Sequence, residues 1–62
     1  MFIKLPNVNS SGHTLVVVAQ IETMRWITTA YKQYTKVSLL SGSEVDTTLV
    51  PEEIEKLIRE MK

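Results

Sequence analysis

Val50-Pro51-Glu52-Glu53-Ile54-Glu55-Lys56-Leu57-Ile58-Arg59-Glu60-Met61 is the stretch whose periodicity decides the fold. Ile54, Leu57, Ile58 and Met61 recur at i, i+3, i+4 and i+7, which is one apolar stripe on a helix. Pro51 suits the first helical position, because its fixed φ is already helical and its missing N–H would have had no partner. Glu52 and Glu53 then meet the positive end of the helix dipole, and Lys62 meets the negative end. Glu52 with Lys56, and Glu55 with Arg59, are spaced for i,i+4 ion pairs. Val50, at the capping position, has no side-chain acceptor to offer the first turn, which makes that turn the place to fray. A helix of this length is marginal alone in water, so its stripe must dock on something. A helix over 51–61 is therefore predicted to lie on whatever residues 2–50 build.

Residues 2–50 read as short strands. Phe2 to Leu5 is apolar and β-prone, and it is stopped by Pro6 and Asn7. Asn7-Val8-Asn9-Ser10-Ser11-Gly12 is turn chemistry, since Asn and Ser bond their own backbone and glycine tolerates positive φ. His13 to Val18 returns as the second strand of a hairpin, and its end, Leu15-Val16-Val17-Val18, is apolar on both faces. Val37-Ser38-Leu39-Leu40, the turn Ser41-Gly42-Ser43, and Val45 to Val50 form the clearest hairpin. On it Val37 and Leu39 share one face, as do Val45, Thr47 and Leu49 on the returning strand. Between the hairpins, Ile21, Met24, Tyr31 and Tyr34 are roughly helix-spaced, whereas Thr23, Trp26, Ile27, Thr28 and Thr29 favour a strand. Ile21 to Ile27 is read as a third strand, with a turn among Thr29 to Gln33 leading into Lys36 to Leu40; a helix over 20–34 remains the alternative. The fold class is α+β: a small antiparallel sheet of about five short strands and one C-terminal amphipathic helix, in one domain over 1–62.

A chain of 62 residues buries only about 60% of its unfolded surface, so its core is marginal unless supplemented. The usual supplements are disulfides, a structural metal or oligomerisation. The chain has no cysteine and a single histidine, His13, so no disulfide, metal or cofactor is expected and self-association is left. The strand Leu15, Val16, Val17, Val18 is the candidate for it, because a small chain has no second layer to cover both of its faces. The longest apolar run, Leu15 to Ala19, is far shorter than the ~20 residues that span a bilayer. The start Met1-Phe2-Ile3-Lys4-Leu5-Pro6 lacks the regions of a secretory signal, so a soluble cytoplasmic protein without membrane insertion is expected. Net charge is zero, with Lys4, Arg25, Lys32 and Lys36 in the first part and most acids after Ser41.

No catalytic constellation is legible. His13 sits beside a turn with no nucleophile or acid tied to it, and reads as a strand-end surface residue. Glu52-Glu53 is explained by the helix start, and Glu44 with Asp46 by the solvent face of an edge strand. Gly12 and Gly42 are isolated, so there is no phosphate-cradling loop. An enzyme is not expected. The segment 25–36 interleaves Arg25, Trp26, Tyr31, Lys32, Tyr34 and Lys36. Such a mix completes a thin core, forms a protein-binding hot spot, or stacks bases and neutralises phosphates. Partner binding through these six residues is the functional expectation, with another protein preferred and a single-stranded nucleic acid as the alternative.

The order of short motifs resembles the FlbD family of small flagellar and swarming-motility proteins, of the SwrD type in Gram-positive bacteria. The resemblance rests on Phe2-Ile3-Lys4-Leu5, a polar turn ending in Gly12, Thr14-Leu15-Val16-Val17 and Gln20-Ile21-Glu22-Thr23-Met24. It continues through Thr35-Lys36-Val37-Ser38-Leu39, Ser41-Gly42 and Val50-Pro51-Glu52-Glu53-Ile54. It implies an antiparallel sheet with a C-terminal helix, no catalysis, and a supporting role through protein contacts. The segment before Val37 is several residues longer than in that family, and Val50 stands where Ser or Thr is usual. The Glu-Glu-Ile helix start is also similar to that of the carbon storage regulators, RNA-binding dimers whose strongly basic character this chain lacks.

Overall fold

The computed structural model describes residues 1–60. Met61 and Lys62, expected to finish the stripe and to face the helix dipole, lie outside the described residues. Five strands and a helix follow in the expected order: β1 (Phe2–Pro6), β2 (His13–Val17), β3 (Ile21–Thr28), β4 (Gln33–Leu39), β5 (Glu44–Thr47) and α1 (Pro51–Glu60). A 3-10 turn, Val18–Gln20, separates β2 from β3. The fold is α+β, and its strands divide between two antiparallel sheets, β1–β2 and β3–β4–β5. The bridge between Asn7 and Thr47 joins them. Among the described residues no helix is long and apolar enough to cross a membrane.

Residues 21–34 are not helical. Their β-branched and aromatic side chains prevail over the loose helical spacing, because β3 gains a full-length partner in β4, from Ile21–Leu39 to Thr28–Gln33. The strands run further toward the 29–32 turn than their sequence suggested, to Thr28 on one side and from Gln33 on the other. Thr29 closes that turn: its N–H donates to the Lys32 carbonyl at 2.8 Å, and its hydroxyl accepts from the N–H groups of Tyr31 and Lys32. The β4–β5 turn is closed by Gly42 N–H to Leu39 O and Leu39 N–H to Ser43 O, both 2.9 Å. Gly42 supplies the positive φ of 95° that this geometry demands. In contrast to the longer strand expected, β5 ends at Thr47, where Leu49 turns its carbonyl to the Thr35 hydroxyl.

The core forms where the two sheets and the helix meet. Ile3, Leu5, Val16, Val37 and Ile54 are buried, and Met24, Leu39, Val45, Leu49, Leu57 and Ile58 pack around them. Thr35 and Thr47 are buried with them. The α1 stripe docks as its periodicity requires, with Ile54 at its centre.

The helix start lacks a side-chain acceptor at Val50, as expected, and adds a contact in the reverse direction. The Val50 carbonyl accepts from the N–H groups of Glu53 and Ile54, and the Glu53 carboxylate reaches back to the Val50 N–H at 3.3 Å. This is one half of a capping box, built without a Ser or Thr because the donor needed is backbone and the acceptor comes from the third helical residue. The i,i+4 pairs of α1 are not closed: among the described residues the ion pairs within 4 Å are those of Lys36. Glu53→Ala is therefore expected to lower stability by about 0.5 kcal/mol, while Glu53→Gln retains most of it, as read from thermal midpoints. Equal loss in both variants would show that the contact is electrostatic only.

Candidate interaction surface

In a strand successive side chains alternate between faces, so the hairpin β1–β2 has an inner and an outer row. Ile3 with Val16, and Leu5 with Thr14, face inward. Phe2 with Val17, Lys4 with Leu15, and Pro6 with His13 face outward. The outer row exposes Leu15 to 62%, Phe2 to 57% and Val17 to 42% of their surface. The four-residue candidate Leu15, Val16, Val17, Val18 thus divides. Val16 is core and cannot meet a partner, and Val18 has left the strand and packs against the core. Leu15 and Val17 remain, and Phe2, which the sequence reading did not select, joins them. Its signal was there: Ile3 and Leu5, two residues apart, share one face, which puts Phe2 with Lys4 on the other.

The backbone of this hairpin adds to the surface. Val18 N–H donates to Met1 O at 3.0 Å and Asn7 N–H to Gly12 O at 3.1 Å, bracketing the ladder at both ends. Antiparallel alternation then makes Phe2–Val17, Lys4–Leu15 and Pro6–His13 the pairs that do not exchange hydrogen bonds. Their N–H and C=O groups point away from the partner strand. For Pro6 this costs nothing, since it has no N–H. For His13, Leu15 and Val17 it aims backbone donors and acceptors outward along the side of β2 that has no neighbouring strand.

The aromatic–basic segment 25–36 is a hairpin whose residues are parted between two faces and a tip. Arg25 lies opposite Lys36 and Ile27 opposite Tyr34, on the outer face of the three-stranded sheet. Trp26 lies opposite Thr35 on the inner face, at the margin of the core, and keeps 41% of its surface exposed. Tyr31 stands at the tip of the Thr29 turn, 96% exposed on an ordered backbone. The cations are partly engaged. Lys36 Nζ is 3.7 Å from both Glu44 and Asp46, and Lys32 Nζ donates to Asn9 Oδ1 in the β1–β2 loop. The direct Arg25–Lys36 pairing is repulsive in itself, and the two β5 carboxylates offset it. Tyr34 is half-buried and serves the sheet through its contact row with Ile27.

Searches among protein-family models, curated protein sequences and solved structures return no match for this chain. The surface itself therefore carries the functional reading. Among the described residues no three His, Asp or Glu side chains are grouped to hold a metal ion, and His13 is exposed on the outer row of β1–β2.

Proposed function

We propose that the protein is a small non-catalytic interaction module that associates with itself through the β1–β2 hairpin. The observation that carries this reading is the exposed row Phe2, Leu15 and Val17 on a two-stranded sheet. Two strands alone are marginally stable in water, and a third neighbour or a covering layer strengthens them. The small core, whose buried apolar residues are Ile3, Leu5, Val16, Val37 and Ile54, gives self-association a thermodynamic role. Light scattering across a concentration series tests the proposal. The mass should rise to a multiple of 7.1 kDa in the micromolar range, and a strict monomer at high micromolar concentration rejects it. A soluble, cytoplasmic setting belongs to the same reading.

The resemblance to the FlbD family extends the proposal to a supporting role in bacterial motility. Deletion of the gene should then impair swarming, and unchanged motility removes this extension.

A second reading is favoured by Tyr31, since an exposed aromatic on an ordered turn is ready to contact a partner at little entropic cost. Another protein fits better than a nucleic acid. With Lys36 held by two carboxylates, Arg25 and Lys32, the latter hydrogen-bonded to the neutral Asn9, are the cations of the segment left to meet phosphates, and electrostatic affinity scales with the number of phosphates neutralised. Fluorescence of the single tryptophan, Trp26, should stay unchanged when single-stranded oligonucleotide is added at low salt. A saturable change that disappears with added salt would restore the nucleic-acid reading.

A further inference from the structure

We propose that β2 of one copy pairs antiparallel with β2 of a second copy, about a two-fold axis through Leu15, so that the two hairpins form one continuous four-stranded sheet. This inference rests on the self-association reading and specifies its geometry.

His13-Thr14-Leu15-Val16-Val17 contains no Lys, Arg, Asp, Glu or Pro, and its ladder with β1 has no bulge. Natural edge strands are usually guarded by such features, because an open row of N–H and C=O groups is a template for another strand. The other single-neighbour strands are guarded: β5 carries Glu44 and Asp46 and is bridged at Thr47 by Asn7. β3 carries Glu22 and Arg25, and its register is broken between Ile21 and Thr23. The free side of β1 presents Lys4 and Pro6 and is closed at one end by the Asn7–Thr47 bridge. The unguarded edge is β2.

The register follows from which groups point outward. A two-fold axis at Leu15 is the arrangement that overlaps all of His13–Val17 with its copy. It sets Leu15 opposite Leu15 of the second copy, and His13 opposite Val17 of the second copy. These are the residues whose backbone groups face the open side, so they form the hydrogen-bonded pairs of the new ladder. Thr14 and Val16, whose groups already serve β1, fall between them. The side chains agree with the backbone. Leu15 meets Leu15, and each Val17 keeps Phe2 on one side and gains His13 on the other, extending the apolar row across the axis.

Charge selects this arrangement over stacking the two outer faces. Lys4 stands beside Leu15 in the middle of the outer face, and face-to-face packing of identical copies would bring two ammonium groups into an apolar contact. In the continuous sheet the two lysines stand three strand spacings apart, about 14 Å. That exceeds the Debye length of about 8 Å at physiological salt, so their repulsion is screened. A partner with acidic groups could instead have been drawn to Lys4, but nothing on β2 itself would reward a charge. A second copy is the occupant that matches it.

The experiment uses the full chain, which has no cysteine of its own. Leu15→Cys places two thiols at the axis, where opposed Cα atoms of a hydrogen-bonded pair are about 5.5 Å apart, within disulfide range. Mild oxidation should convert the chain to covalent dimer, whereas Tyr31→Cys, at the far tip, should not. Leu15→Lys places two like charges at the axis and should leave a folded monomer by circular dichroism and light scattering, because Leu15 is exposed within the single chain. In the unaltered chain the Leu15 amide should exchange with solvent roughly tenfold more slowly at high than at low concentration, since its protection comes from the second copy. An unaltered chain that is oligomeric, with Leu15→Lys still oligomeric and Leu15→Cys not cross-linked, overturns the β2–β2 geometry and leaves self-association standing. A monomeric chain at high micromolar concentration overturns both.

Discussion

Replacing Ile54 by Ala is expected to leave the protein largely unfolded at room temperature. Ile54 is the fully buried residue of α1, and it packs at the junction of helix and sheets with Ile3, Leu5, Val16 and Val37. Isoleucine to alanine in a core removes transfer free energy and leaves a cavity, at a cost of about 2–5 kcal/mol. A single core in a chain below 70 residues rarely supplies more than about 3–5 kcal/mol, so the loss is comparable to the whole. Leu57→Ala should cost less, because Leu57 is only half-buried on the flank of the stripe. Far-UV circular dichroism and urea midpoints measure both. Were Ile54→Ala to keep the midpoint of the unaltered chain, the helix would be an appendage and the docked arrangement described above would be wrong. The proposed self-association would add a linkage: a dimer shifts its apparent midpoint with concentration, so the two variants must be compared at one concentration.

Thr35→Val is expected to destabilise the fold by about 1–3 kcal/mol, although it conserves volume and adds apolar surface. The Thr35 side chain is fully buried, and its hydroxyl donates to the Leu49 carbonyl at 2.5 Å. That bond ties the centre of β4 to the segment that leads into α1. Valine would fill the same space and leave the carbonyl without its donor in a partly buried site. Thr47→Val offers an internal comparison. The Thr47 hydroxyl accepts from the Leu49 N–H at 3.4 Å, the long end of hydrogen bonding, and its loss should cost less. Denaturant titration of both variants decides the matter: a Thr35→Val chain as stable as the original, or less affected than Thr47→Val, would remove this bond from the account.

Much of this architecture was legible from residue patterns. The stripe Ile54, Leu57, Ile58 follows from the geometry of any α-helix, so its docking needed no knowledge of the partner surface. Gly12 and Gly42 marked turns whose φ values of 106° and 95° exclude a comfortable side chain. The strand reading of residues 21–27 was likewise legible, because β-branched residues are stiff in the conformation that strands use. The candidate surface was legible only in part. Segment 25–36 looked like one aromatic–basic cluster along the chain, yet strand alternation places Trp26 opposite to Arg25, and cross-strand neighbours occupy Lys36. Neighbours from β5 and from the β1–β2 loop are distant in sequence, so no local pattern announces them.

What the chain determined by itself was the set of elements, since helical and strand periods, turn glycines and a proline at the helix start act over a few residues. What only the tertiary structure decided was orientation. A period of two says that Leu15 and Val17 share one face and Val16 and Val18 the other, but not which face is inward. That choice was made when Val16 met Ile3 and the packed core, leaving Leu15, Val17 and Phe2 outside. The cap of α1 was decided in the same way. Val50 has no side-chain acceptor for the first turn, but its own N–H gains one, because the first helical turn brings the Glu53 carboxylate back to it. The helix that settled the fold class is thus specified by its own residues along its length, and by folded geometry at its start.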